Sequence, residues 1–326
     1  MAFNLLCCDG GGIRGVITAM LIADLDSDFN VIAKSNGFAG TSTGGLIALA
    51  LANGVDIATI LNVYLTEGST IFTENGWLPA AGSDEASVQE LLGSGPGLLE
   101  CEYTSTGLLS VANSLLGSST LSDAPKFVAV NSAQLWNGTS WMAQTLSNAT
   151  GNPFAGVTMV DAALATSAAP TYFPPHEISG FGFFADGGVF ANNPTMAAVA
   201  ELCRDGHNPS GVMVLSLGTG ISATGIQPSA IPSPLKWGTT KWMWPDTSQG
   251  VPGMALMNLM FDATQQAATN QALQFLGGNV ARGNVTLPNP YPLDDWKDVQ
   301  QLVNLTKAYI NSSDWQQIRS WVGANW

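Results

Sequence analysis

The chain has 326 residues, 46% of them hydrophobic, which is enough for one large α/β core. Only 10% are charged, and 24 acids against 10 bases leave a formal net charge of −14. That balance excludes nucleic acid as a partner and excludes a broad electrostatic grip on anionic membranes.

Phe3–Cys8 reads as a buried strand, followed at once by Asp9-Gly10-Gly11-Gly12-Ile13-Arg14-Gly15 and a helical run from Val16 to Leu25. A strand, a glycine loop and a helix N-terminus together make a nest of backbone N–H groups that suits an anion. Gly10, Gly12 and Gly15 also satisfy a dinucleotide fingerprint. The acids near the required distance, Asp24, Asp26 and Asp28, precede the next strand candidate, Val31–Ala33, instead of ending it. Adjacent Cys7 and Cys8 point to opposite faces of a strand and read as two buried thiols, and none of the four cysteines shows paired metal-ligand spacing.

Gly37-Phe38-Ala39 leads into Gly40-Thr41-Ser42-Thr43-Gly44-Gly45 and then an apolar helical run, Leu46–Leu51. Gly-x-Ser-x-Gly between a strand and a helix is the form of a nucleophile elbow, a turn tight enough to need glycines and sharp enough to expose the serine. A second helix is expected from Val55 to Glu67. The Gly- and Ser-rich stretch 68–122 carries no basic residue and reads as either a lid or a surface excursion.

Lys126–Val130 and Ser140–Gln144 are the next strands, paired through a turn at Asn137-Gly138. Thr158–Ser167 is a helix of small residues, stopped by the prolines of Ala168–Pro175. Phe181–Ala185 places Asp186 at a strand end, before Gly187-Gly188, where another group can approach closely. A helix over 195–203 and a core strand, Val212–Leu217, closed by Gly218-Thr219-Gly220, complete an α/β alternation. Lys236–Trp244 holds Trp237, Trp242 and Trp244 together with two lysines. It suits a water–lipid boundary, or alternatively a loop folded onto the core. Helices are expected over 253–276, 295–311 and 314–322.

An activated serine needs a proton acceptor. The two histidines are His176, behind two prolines, and His207, in a sequence that reads as a solvated turn. His207 follows Asp186, so a Ser-His-Asp triad stays open. The other arrangement is a dyad, in which a buried Asp186 takes the Ser42 proton directly while the amides of Gly10, Gly11 and Gly12 hold the oxyanion. A non-enzymatic anion- or nucleotide-binding module is the third reading.

With these residues in view, the chain resembles the patatin-like phospholipases, lipid acyl hydrolases with a Ser-Asp dyad. Asp9–Gly15 is similar to the family's oxyanion loop, Gly40–Gly45 to its elbow and Asp186-Gly187-Gly188 to its acid motif. Ser167–Pro174 and Ser216–Gly220 match further blocks in family order. The resemblance implies a three-layer α/β/α fold and hydrolysis of glycerolipid acyl esters by Ser42 and Asp186. It implies no metal and no cofactor, a lipid ester as substrate and transient contact with a membrane or micelle surface. Arg14 fits the family position, where it either touches substrate or braces the loop. One patatin-like domain over 1–326 is expected, with 221–326 as a helical part packed on it. No apolar stretch is long enough to span a bilayer, and no charged n-region precedes an apolar run at the N-terminus. A cytoplasmic site with peripheral membrane contact is therefore expected, and leaderless export stays open.

Overall fold

A computed structural model describes residues 2–76, 100–222, 225–246, 248, 250–251 and 253–326. The first strand, β1 (Phe3–Cys8), enters α1 (Gly15–Phe29) through the glycine loop. Then come β2 (Gly37–Thr41), α2 (Thr43–Ala52) and α3 (Ile57–Thr66), whose first turn is capped by the Asp56 carboxylate accepting from the Ala58 and Thr59 amides. After α4 (Thr106–Leu116) the chain forms β3 (Phe127–Gln134), β4 (Met142–Ser147) and α5 (Met159–Thr166). These lead to β5 (His176–Ile178), β6 (Gly182–Asp186), the single turn α6 (Gly188–Ala191) and α7 (Thr195–Arg204). Strand β7 (Val212–Leu217), helix α8 (Ala255–Leu276), strand β8 (Val280–Gly283) and helices α9 (Val299–Ile310) and α10 (Ser313–Asn325) complete the chain.

The sheet runs β5-β6-β3-β2-β1-β7-β8, with β4 also on β3. Strands β8, β7, β1, β2 and β3 are parallel, while β4, β5 and β6 are antiparallel additions. Helices cover both faces, which makes three layers, α/β/α. Leu6 and Cys8 of β1 face the side packed by α1 and α2, whereas Leu5 and Cys7 face Val199 and Leu202 of α7. The two cysteines thus divide between faces as the strand period requires, both as free buried thiols. Burial pushes the Cys7 thiol up to about 12, so it is an inert core group.

All ten residues of α2 are buried, as expected of a helix apolar all round. It lies against β2 and β3, and its N-terminus is fixed by the sheet. Val31–Lys34 is a short helix and not the expected strand. Asn30 closes α1 in the left-handed region (φ 53°), and Asp26 accepts the Ile32 amide at 2.9 Å, starting a new turn. Strand β8 had no expectation, because Val-Ala-Arg-Gly is too short to show a period. At the C-terminus, fully buried Trp315 of α10 donates to Asp24 of α1 at 2.7 Å, and Arg319 pairs with Asp24 and Asp28. Of the Gly- and Ser-rich stretch 68–122, read as either a lid or a surface excursion, residues 77–99 lie outside the described residues; 106–116 form α4.

One feature of the sheet positions the candidate site. One edge of β3 is held by β4 along Ala129–Gln134. Its other edge is shared: β2 pairs with Phe127–Asn131, and β6, running the opposite way, pairs with Ser132–Gln134. The two strands meet tip to tip. Thr41 sits opposite Asn131 and Asp186 opposite Ser132, so the residue after β2 and the last residue of β6 face each other across one step of β3.

Candidate active site

Ser42 follows β2 in a backbone conformation that L side chains rarely adopt, φ 54° and ψ −127°. Two contacts hold it there. Its amide donates to the Thr166 hydroxyl at 2.9 Å, and that hydroxyl donates to the Asn131 carbonyl, tying the elbow to α5 and β3. A Cβ on Gly44 would collide with the Cys8 carbonyl oxygen, so only glycine lets α2 start this close to β1. The helix then directs its positive end at the space in front of Ser42.

Asp186 closes the other side and is 2% exposed. Its carboxylate accepts the Gly188 amide at 2.7 Å and faces the Ser42 hydroxyl. Burial dominates and lifts its pKa to about 7, while the Ser42 hydroxyl and the Gly188 amide pull it partly back. The result is a carboxylate that titrates near neutrality beside a serine, which is what a general base requires.

Neither histidine stands in this place. His176 Nε2 lies 2.9 Å from Asp161 on α5. His207 packs edge-on to Phe3, with ring centroids 4.7 Å apart, at the opposite end of β1 from Cys8 and the elbow.

The glycine loop lies on the third side. The Asp9 amide donates to the Leu217 carbonyl and the Gly10 amide to the Asn192 carbonyl, both at 3.0 Å. The Gly10 carbonyl in turn accepts from Thr219 at 2.7 Å. Its Cα is so close to Asn192 and Ser42 that a Cβ would strike the Asn192 side chain. Gly10 therefore supports the loop through an amide that is already used, whereas those of Gly11 and Gly12 donate to no acceptor among the described residues. Half-buried Arg14 donates from Nε to the Gly11 carbonyl at 3.3 Å, and it also lines the cavity. Burial pulls its pKa down, and Asp262 opposes that shift.

Beneath the loop, Asp9 is fully buried. It is met by Arg282 of β8 (Nη1 to Oδ1, 3.0 Å) and by Gln265 of α8 (2.7 Å), with Arg282 also donating to Ser216 at 2.9 Å. Burial raises the Asp9 pKa, and Arg282 acts against it. The Ile13 amide donates to the Leu293 carbonyl at 2.7 Å. No local pattern marks Gln265, Arg282 or Leu293. Asn192 stood beside Asn193-Pro194 in a visible turn sequence, but its bond to Gly10 spans 182 positions.

These residues enclose a small pocket of about 10 Å³, lined by Gly10, Gly11, Arg14, Ser42 and Asp186 with Asn192, Phe261 and Leu293. Ser42 and Leu293 also belong to a larger apolar cavity of about 50 Å³, walled by Leu46, Ile71, Phe72, Leu108, Tyr172 and Phe173. Gly12 lies in its wall. The apolar lining suits an alkyl chain, with a polar end at the serine. Among the described residues no group of three or more His, Cys, Asp or Glu side chains could hold a metal ion, and no helix is long and apolar enough to cross a membrane.

The family model of patatin-like phospholipases matches residues 6–199. A cGAMP-activated phospholipase of Vibrio cholerae is 31% identical over 245 residues, covering 70% of this chain and 67% of the relative. A cGAMP-activated phospholipase of Pseudomonas aeruginosa is 27% identical over 314 residues, covering 95% of this chain and 85% of the relative. Among solved structures, VipD from Legionella pneumophila aligns over 94% of this chain and 67% of its own, with a TM-score of 0.41 and 12% identity.

Proposed function

The chain belongs to the patatin-like phospholipase family, and on that premise we propose that it hydrolyses acyl esters of phospholipids or other glycerolipids with Ser42 as nucleophile and Asp186 as its base. The family is one of ester hydrolases with lipid substrates. In the first half-reaction Asp186 takes the Ser42 proton as Oγ attacks the ester carbonyl. The negative charge that develops on the carbonyl oxygen is met by the Gly11 and Gly12 amides and by the N-terminus of α2. Collapse of the intermediate breaks the acyl C–O bond. Protonated Asp186 then returns its proton to the leaving alcohol. Water, deprotonated by the same carboxylate, attacks the acyl-serine; the acyl–Oγ bond breaks, Asp186 returns the proton to Ser42 Oγ, and the fatty acid and the free enzyme are released. Arg14 braces the Gly11 carbonyl so that the Gly11 and Gly12 amides keep their aim, while the acyl chain occupies the apolar cavity.

One observation carries the dyad reading: a carboxylate with a pKa raised to about 7 faces Ser42, and both histidines are engaged elsewhere. The test is labelling by a fluorophosphonate probe, followed by ester turnover. Ser42 is expected to be the labelled residue in the native protein, with labelling retarded in Asp186→Asn and unchanged in His207→Ala. Full turnover in Asp186→Asn would sink the dyad.

A further inference from the structure

The tryptophans that stood out in the sequence are not the bare ones. Trp237 and Trp242 pack edge to face at 5.1 Å and join Ile226 against a small cluster of Ala230, Val251 and Ala255. At the end of the β3–β4 hairpin, by contrast, Trp141 is 84% and Trp136 60% exposed, next to Met142 at 41% and Phe183 of β6 at 49%. All four lie at one end of the sheet. Asn137 closes the turn by accepting from the Thr139 and Ser140 amides, Met142 pairs with Gln134, and the Leu135 amide donates to the Phe183 carbonyl. Monomeric proteins seldom leave large aromatic side chains clustered in water.

Position and charge both bear on what covers this patch. Ser132 of β3 is the step opposite Asp186, and Trp136 stands four residues further on, about 13 Å along the strand at ~3.3 Å per residue. The patch therefore projects from the same end of the sheet as the Ser42 pocket. The chain carries −14 overall, yet no charged residue occurs between Lys126 and Asp161. Exposed Glu177 of β5 stands opposite Phe183, but the hairpin itself is uncharged, and a hairpin tipped by two tryptophans has the chemistry that settles at a lipid headgroup boundary, where an indole has both an apolar face and an N–H. The acidic remainder of the molecule makes a zwitterionic surface a better match than an anionic one.

We propose that the β3–β4 tip, with Trp136, Trp141, Met142 and Phe183, is the surface by which this protein docks on a zwitterionic glycerophospholipid bilayer. Docking there sets the sheet end that bears the Ser42 pocket towards the lipid. The inference rests on the lipid hydrolase reading above.

The experiment measures binding without turnover. Proteins carrying Ser42→Ala are mixed with large unilamellar phosphatidylcholine vesicles, and the bound fraction is read by sedimentation, with and without Trp136→Ser/Trp141→Ser. The tip substitutions are expected to weaken partitioning roughly tenfold or more, since each indole contributes a large apolar area. Trp237→Ser is expected to change it less than twofold. In the Ser42 background, the tip variant should keep its unfolding midpoint and its turnover of p-nitrophenyl butyrate. Equal vesicle binding with and without the tip tryptophans overturns the proposal, as does absence of vesicle binding by the unaltered tip. A dimer that only the tip substitutions dissociate also overturns it, because a second copy would then be the occupant. Fluorophosphonate labelling of Ser42 is scored separately, so a failed surface and a failed dyad give different results.

Discussion

Residues 9–45 and 186–192 contain every group that the proposed reaction uses to move protons or hold charge, while residues 261–293 contain none of them and yet hold the first set in place. The glycine loop is anchored from below by Arg282 and Gln265 through Asp9, and beside it by the Leu293 carbonyl through Ile13. Phe261 packs so closely on the Asp186 loop that a Cβ on Gly188 would meet its ring. The family match ends at residue 199, so the reacting parts and the clamp that positions them fall on different sides of that boundary. The comparison teaches that a reactive motif can be local in sequence while its rigidity is supplied from some 270 positions away.

The sharpest way to separate the two regions is to remove one group from each. Ser42→Ala deletes the proposed nucleophile and is expected to lower kcat by on the order of 10³-fold or more with the fold intact, as judged by an unchanged circular dichroism spectrum. Arg282→Met acts through the clamp. It leaves Asp9 buried without its counter-charge, at a cost of about 3–5 kcal/mol in denaturant unfolding. The pair Asp9→Leu/Arg282→Met should cost less than Arg282→Met alone, because no orphaned charge remains. If the single variant is as stable as the parent, the last third is not a clamp.

Asp186 permits a test within the reacting set, and its sign follows from its raised pKa. The folded state holds a proton between about pH 4 and pH 7 that the unfolded chain has released, so this group's contribution to stability is full below pH 4 and is lost as the pH rises through 7. At pH 8 Asp186→Asn should therefore be more stable than the native protein, by on the order of 2–4 kcal/mol at about 1.4 kcal/mol per pKa unit, and the advantage should shrink towards pH 4. Ester turnover by the native protein should rise with pH through about 7, as the base ionises. A pH-independent stability difference would mean that Asp186 is not buried as a titrating group. The smallest expected effect is at the histidines. His207→Ala removes one edge-on contact with Phe3 and should change turnover less than about twofold.

Much of the site was legible because its requirements are local and steric. Three glycines after a strand, a serine flanked by glycines before a helix, and an aspartate before two glycines are each demanded by close approach of backbone to backbone, and each is readable within a few residues. The small-residue helix ending at Ser167 was readable too, although the role of Thr166 under Ser42 was not. Val31–Ala33 misled because three apolar β-branched or small residues fit a strand or a helical turn equally, and the left-handed Asn30 decided between them. For Trp237 and Trp242 the sequence left a lipid boundary and a loop folded onto the core both open, because composition shows where aromatic residues are while exposure depends on which other segments reach them.

The α/β alternation and the glycine turns could be read from the chain alone, because they follow from side-chain period and from the space a Cβ occupies, whereas the three layers came from the family resemblance. The Gly10 amide's bond to the Asn192 carbonyl, and the lack of an acceptor for the Gly11 and Gly12 amides among the described residues, depend on how distant segments pack. Only the tertiary structure decided that Asp9 is neutralised by Arg282 and that the hairpin tryptophans are the bare ones. It alone brought Ser42 and Asp186 together, since that meeting requires two strands of opposite direction to share one edge of β3. Strand pairing is a choice among distant partners made by the burial of whole faces, and no window of neighbouring residues contains it.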